Sequence, residues 1–76
     1  MYYVYVLKNK DNGSLYIGSS GNLEERVKQH VSVKKVELIY YEAYLSKEDA
    51  KRRERKLKLY GSAWRGLKQR LKDALR

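Results

Sequence analysis

Hydrophobic and polar positions along this chain follow two periods, and the switches between them mark its elements. Tyr2-Tyr3-Val4-Tyr5-Val6-Leu7 is dense in β-branched and aromatic residues and reads as a strand. Asn9-Lys10-Asp11-Asn12-Gly13-Ser14 is a cluster of turn formers. Leu15-Tyr16-Ile17-Gly18-Ser19 reads as a second strand, so residues 2–19 are predicted as a β-hairpin that Ser20-Gly21 ends. Asn22, with Glu25 three places on, predicts an N-cap and its capping-box partner for a helix running to about His30. Val36 to Tyr44 is a third strand. Its alternation places Glu37, Ile39, Tyr41 and Ala43 on one face and Val36, Leu38, Tyr40 and Glu42 on the other. Ser46 with Asp49 opens a second helix that ends near Tyr60-Gly61, where glycine suits a C-terminal cap. Ser62 is the expected cap of a third helix to the chain end, with an apolar stripe of Trp64, Leu67, Leu71 and Ala74/Leu75.

The order ββαβαα predicts an α+β fold, a small three-stranded antiparallel sheet flanked by helices. No proline, repeat or low-complexity stretch interrupts it, so residues 1–76 read as one domain. The absence of cysteine excludes disulfides and thiolate zinc sites and fits a reducing compartment. The longest apolar run, the seven residues Met1 to Leu7, falls far short of the ~20 that span a bilayer. The expectation is a soluble, cytoplasmic chain without a membrane partner.

Charge narrows the class of partner. Eighteen basic residues against nine acidic leave +9, which points to a polyanion. Residues 1–45 hold six basic and five acidic side chains, whereas residues 46–76 hold twelve and four. The basic surface therefore belongs to the C-terminal part. Arg65, Lys68, Arg70 and Lys72 lie opposite the stripe of the last helix, a pattern shared with membrane-surface helices. Here that stripe is needed to cover the core.

Several chemistries are excluded. One histidine without cysteine cannot build a structural zinc site. No glycine-rich loop followed by Lys-Ser/Thr suggests a nucleotide cofactor. No Asp-x-Asp or similar pairing offers the clustered carboxylates of two-metal catalysis, which leaves at most one carboxylate-bound ion per site.

What remains is a set of ionisable side chains on apolar stripes. Glu54 lies between Ala50 and Leu57, at i+4 and i−3, on the side that should face the sheet. A carboxylate there is costly unless it is paired, with Arg53, Arg55 or Lys58, or holds a cation. On the first helix Leu23 and Val27 mark the stripe, His30 falls on it and Arg26 on its border. A helix-end histidine and a solvated arginine are the ordinary alternatives. In the hairpin, opposed residues share an index sum. Pairing Tyr5 with Tyr16 makes it 21 and a tight turn at Asn12-Gly13 makes it 25. Both sums are odd, so Tyr5 and Tyr16 point to one face in either register. Two half-buried strand tyrosines are common, yet a chain with eight tyrosines and no phenylalanine is choosing hydroxyls. Two phenols, an arginine, a histidine and a glutamate on a basic surface suit phosphodiester hydrolysis. Arginine stabilises charge on phosphoryl oxygens, a carboxylate-held divalent ion polarises the phosphate, and phenol or imidazole accepts a proton from water.

These residues also carry a resemblance. Tyr3-Val4-Tyr5, Tyr16-Ile17-Gly18 and Leu23-Glu24-Glu25-Arg26-Val27-Lys28-Gln29-His30 resemble the start of the GIY-YIG nuclease domain, and Ala50 to Lys58 resembles its glutamate helix. The resemblance covers about residues 2–60, is closest to small stand-alone bacterial members, and leaves 62–76 as a basic amphipathic helix. It implies that Tyr5 and Tyr16 are the motif tyrosines, either of which activates water or positions the phosphate. By the same resemblance Gly18 keeps the backbone close to the site, Arg26 binds the scissile phosphate, His30 assists the base, and Glu54 binds a single divalent ion. Three features depart from the family pattern. Tyr3 stands where the first-motif glycine would be, no asparagine occurs in residues 55–76, and only Val31 to Lys35 link the first helix to the third strand.

Lys51, Arg52, Arg53, Arg55, Lys56 and Lys58 surround Glu54 and are the candidate nucleic-acid-binding residues. The expected activity is that of an endonuclease using one Mg²⁺ or Mn²⁺ ion to cut DNA, shape-selective and of a repair or recombination type. No recognition helix or zinc finger is present to read sequence. The rival expectation is a nucleic-acid-binding domain with little or no catalysis, with RNA also open as a partner.

Overall fold

The computed structural model describes residues 1–33 and 35–72. Its elements follow the expected order: β1 (Tyr2–Asn9), β2 (Leu15–Ser20), α1 (Leu23–Val33), β3 (Val36–Tyr44), α2 (Lys47–Leu59) and α3 (Gly61–Arg70). The sheet is antiparallel throughout, in the order β2-β1-β3, so the aromatic strand β1 is central. That is why Val4, Tyr5, Val6 and Leu7 are all buried: both faces of the strand are covered. Among the described residues no helix is long and apolar enough to cross a membrane.

The hairpin closes through its polar turn. The Asn9 side-chain oxygen accepts from the backbone N–H groups of Asp11 and Asn12, and Asn12 does the same for Ser14. Gly13 takes φ 74°, a conformation that favours glycine. Tyr5 pairs with Gly18 and Leu7 with Tyr16, a register between the two considered from the sequence. Its index sum is still odd, so Tyr5 and Tyr16 do share a face.

Two cores form on the two faces of the sheet. On one, α2 and α3 bring Ala50, Leu57, Leu67 and Leu71 against Val4 and Val6. On the other, Leu23 and Val27 of α1 pack with Tyr5, Leu7 and Val36. The third strand departs from the predicted alternation. A bulge opposite Val6/Leu7 lets Val36 and Leu38 face α1 as expected, while Ile39 and Tyr40 both turn to the α2/α3 side. From there on the faces are exchanged, and Glu42 and Tyr44 follow Tyr40.

Helix ends differ from expectation at four places, one of them the end of α3, which stops at Arg70 with Leu71 as its cap instead of continuing. The first helix runs three residues past His30. At its start the Asn22 side-chain oxygen accepts from the Glu25 backbone as predicted, but Ser20 rather than Glu25 accepts from the Asn22 backbone N–H. Ser46 caps α2 by accepting from the Asp49 backbone. At the other end of α2 the cap is Tyr60, in extended conformation. Its N–H donates to the Lys56 carbonyl and its own carbonyl accepts from Ala63 and Trp64. One residue thus ends α2 and starts α3. Gly61 is already helical and Ser62 lies in the first turn, so neither is a cap. Leu67 and Leu71 are buried and Trp64 packs beside them, whereas Ala74 and Leu75 lie outside the described residues.

Candidate active site

Tyr5 is fully buried beneath α1, and its hydroxyl completes no hydrogen bond of ordinary geometry. Its seat is made by a missing side chain. A Cβ on Gly18, the cross-strand partner, would stand 2.6 Å from the Tyr5 hydroxyl oxygen and 3.0 Å from the Tyr16 ring. Tyr16, on the outer strand β2, is half open to solvent. His30 projects from α1 towards both, with ring centroids 5.1 Å from Tyr16 and 6.4 Å from Tyr5, while the two tyrosine rings are 6.4 Å apart. The spacing of Leu23 and Val27, which anchors α1 on Tyr5, thereby turns His30 towards the outer strand.

Arg26 stands one turn before His30 on the exposed flank of α1. Its guanidinium faces the Tyr5 hydroxyl, and that proximity holds Arg26 above the ordinary arginine value. The exposed guanidinium is suited to engaging an anion, with the buried phenol beneath it.

Glu54 lies on the other face of β2. Consecutive strand residues point to opposite faces, so Gly18 meets Tyr5 while Ser19 meets Glu54. The Ser19 hydroxyl donates to Glu54 Oε1 in a short hydrogen bond, and the Lys58 ammonium lies 2.7 Å from Oε2. Partial burial alone would push the Glu54 carboxyl up. Lys58 and Ser19 outweigh it and hold the group below its ordinary 4.5, so it is an anion at neutral pH. The hydrogen bond to Glu54 in turn raises Lys58, which also lies within electrostatic reach of Tyr16 and Tyr5.

The donor set fits a hard divalent ion. Glu54 is ionised, braced by Ser19 and open on the side of an exposed lysine. Mg²⁺ commonly takes one or two carboxylates and fills its other positions with water and substrate oxygens. No group of three or more His, Cys, Asp or Glu able to hold a metal occurs among the described residues.

The basic residues around Glu54 divide into two groups. Lys47, Lys51 and Arg55 follow one another at i, i+4 and i+8 and line open depressions of about 280 and 360 Å³ that run from Glu54 and Lys58 along α2. Arg52 lines the larger depression as well and pairs with Asp49, 3.5 Å distant. Arg53 points inward instead. Its Nε and Nη2 donate to Glu42 at 3.0 and 3.1 Å, so the fold already uses its guanidinium. Lys56 is exposed and forms no ion pair among the described residues. An open groove of about 660 Å³ between Tyr3, Tyr41, Leu38 and the far flank of α1 is separate from all these groups.

Two members of this arrangement escaped the sequence reading. Ser19 ends the stripe Leu15-Ile17-Ser19 that faces α2, and a polar residue closing an inward stripe was the available signal. For Lys47 the available signal was its helical spacing, which puts it on one face with Lys51 and Arg55.

Comparison with known proteins gives a consistent result. A family model described as the GIY-YIG catalytic domain matches residues 1–68. A UPF0213 protein of Staphylococcus haemolyticus is 40% identical over 68 residues, covering 78% of this chain and 82% of that protein. One from Clostridium perfringens is 43% identical over 63 residues, covering 71% and 67%. The solution structure of a UPF0213 protein from Bacillus halodurans superposes with a TM-score of 0.61 at 32% identity, covering 91% of this chain and 84% of that one.

Proposed function

The chain belongs to the GIY-YIG nuclease domain family, and on that premise we propose that it hydrolyses DNA phosphodiester bonds with one Mg²⁺ or Mn²⁺ ion held by Glu54. The observation that carries this reading is the juxtaposition across β2 of an ionised Glu54 with a Tyr5–Tyr16–His30 cluster under Arg26. An ion at Glu54 would supply charge neutralisation at the phosphate and stabilise the departing oxygen. The protein's own groups do the rest. Arg26, on the exposed flank of α1, binds non-bridging phosphate oxygens and orients the phosphate beside the accessible Tyr16, with the buried Tyr5 ring as the floor of the site. Tyr16 is the more accessible phenol and, with the His30 ring beside it, is placed to take the proton of an attacking water. Lys47, Lys51 and Arg55 hold flanking phosphates, contacts that orient a strand without reading its bases. Selectivity would then rest on DNA shape, in keeping with a repair or recombination role.

Cleavage of supercoiled plasmid and of a labelled branched duplex in Mg²⁺, Mn²⁺ and EDTA tests the reading. Cutting should require the divalent ion and should vanish in Glu54→Gln. A second reading, a nucleic-acid-binding domain with little turnover, is favoured by the Lys58 ammonium already seated on Glu54. Salt-sensitive DNA binding without cutting in either metal would decide for it.

A further inference from the structure

Each Glu54 carboxylate oxygen has one partner, and the two partners differ in how readily they leave. Ser19 sits in a paired strand, and its hydroxyl has a fixed path to Oε1. Lys58 reaches Oε2 at 2.7 Å from a flexible four-carbon stem, and its side chain is 46% exposed. An ammonium and a divalent cation cannot share one carboxylate oxygen at that distance without strong repulsion. The exchangeable partner is therefore the lysine. Resting on the reading of Glu54 as the ion's ligand, we propose that Lys58 is a built-in counter-ion of the metal site, displaced from Glu54 when the ion binds and then free to take a substrate phosphate.

The placement supports both ends of this exchange. Lys58 lines the same depression as Glu54, Lys51 and Arg55, within electrostatic reach of Tyr16 and Tyr5. Leaving Oε2, the ammonium needs only a change of rotamer to meet a phosphate held along α2. The two ligands are thereby linked. An ion that frees Lys58 strengthens DNA binding, and a phosphate that captures Lys58 bares the carboxylate for the ion. The metal-free protein keeps Glu54 neutralised without recruiting a cation.

The test is a Mn²⁺ titration followed by electron paramagnetic resonance, with and without the branched duplex, on wild type, Lys58→Met, Lys58→Arg and Glu54→Gln. Without DNA, Lys58→Met should bind Mn²⁺ about three- to tenfold more tightly than wild type, on the scale of removing one nearby competing charge. Lys58→Arg, which keeps the charge, should stay near wild type, and the gain in Mn²⁺ affinity brought by DNA should shrink in Lys58→Met. Equal or weaker Mn²⁺ binding by Lys58→Met, with binding still lost in Glu54→Gln, would overturn the counter-ion role and leave the nuclease reading standing. Mn²⁺ binding that Glu54→Gln does not weaken would overturn it too, and would remove Glu54 as the ion's ligand as well.

Discussion

Glu42 and Glu54 look alike until their partners are counted. Their side chains are 16% and 20% exposed, so burial does not separate them. In both, partial burial pushes the carboxyl up and stronger hydrogen bonds pull it below 4.5. Glu42 accepts from the Tyr40 and Tyr44 hydroxyls, each at 2.5 Å, and from two nitrogens of Arg53. Those four donors use the acceptor capacity of a carboxylate. Glu54 accepts from one hydroxyl and one exposed ammonium, which leaves capacity to spare. A saturated half-buried carboxylate braces β3 against α2. An unsaturated one beside a mobile cation is equipped for chemistry.

The comparison can be broken or sharpened at several points, beginning with the catalytic half. Arg26→Ala should slow cleavage by about 10²- to 10³-fold, the scale of losing one oxyanion donor. Because Arg26 is an exposed side chain, its thermal midpoint should hardly move. A single-turnover cleavage assay beside a melting curve reads both, and a threefold or smaller rate change would remove Arg26 from the site.

Glu42→Gln should act on the other quantity. The change leaves the Arg53 guanidinium half-buried without its counter-ion and turns one acceptor oxygen into an NH2 donor among donors, a loss of about 3 kcal/mol in urea unfolding. Gly18→Ala comes next. The added methyl meets the Tyr5 hydroxyl at 2.6 Å and must displace a fully buried ring, at about 1–3 kcal/mol, with activity falling as the phenol moves.

The smallest effect is on pH dependence. Glu42 has a lowered folded pKa, so its contribution is fully present above 4.5 and disappears as pH falls through the folded value. Tyr40 and Tyr44 are pushed from 10.0 to about 12, first by burial and then by Glu42. Their contribution is present below pH 10 and is lost as pH rises towards 12. Glu42→Gln should flatten the acid limb, measured by thermal melts from pH 3 to 7. The limb owed to Glu54 has the same sign and should survive that change.

Much of the fold was legible because it follows from local rules. The alternation in residues 2–19 placed Tyr5 and Tyr16 on one face in both registers considered, and the observed register lies two away in index sum from each, which keeps the parity. The Ala50–Leu57 stripe with Glu54 between them held, because both leucine and alanine are buried against Val4 and Val6. The bulge in β3 was not legible. Nothing in Leu38-Ile39-Tyr40 signals an extra residue, and the exchange of faces after it is what brings Tyr40, Glu42 and Tyr44 together. The same event sorts the basic cluster, for Arg53 turns inward only because Glu42 is there to receive it. The glycine at position 61 misled as a helix stop, since the extended backbone of Tyr60 ends α2 without a left-handed residue.

The most direct measurement sets Glu54→Gln and Glu42→Gln side by side, scoring single-turnover DNA cleavage in Mg²⁺ and the midpoint of thermal unfolding. The account predicts a crossing. Glu54→Gln should lose cleavage by at least about a thousandfold with a nearly unchanged midpoint, since metal-held charge stabilisation is worth several kcal/mol. Glu42→Gln should melt several degrees lower and cut at a rate that tracks its folded fraction. Two variants that both lose stability, with cleavage falling only in proportion, would make Glu54 a brace like Glu42 and contradict the account.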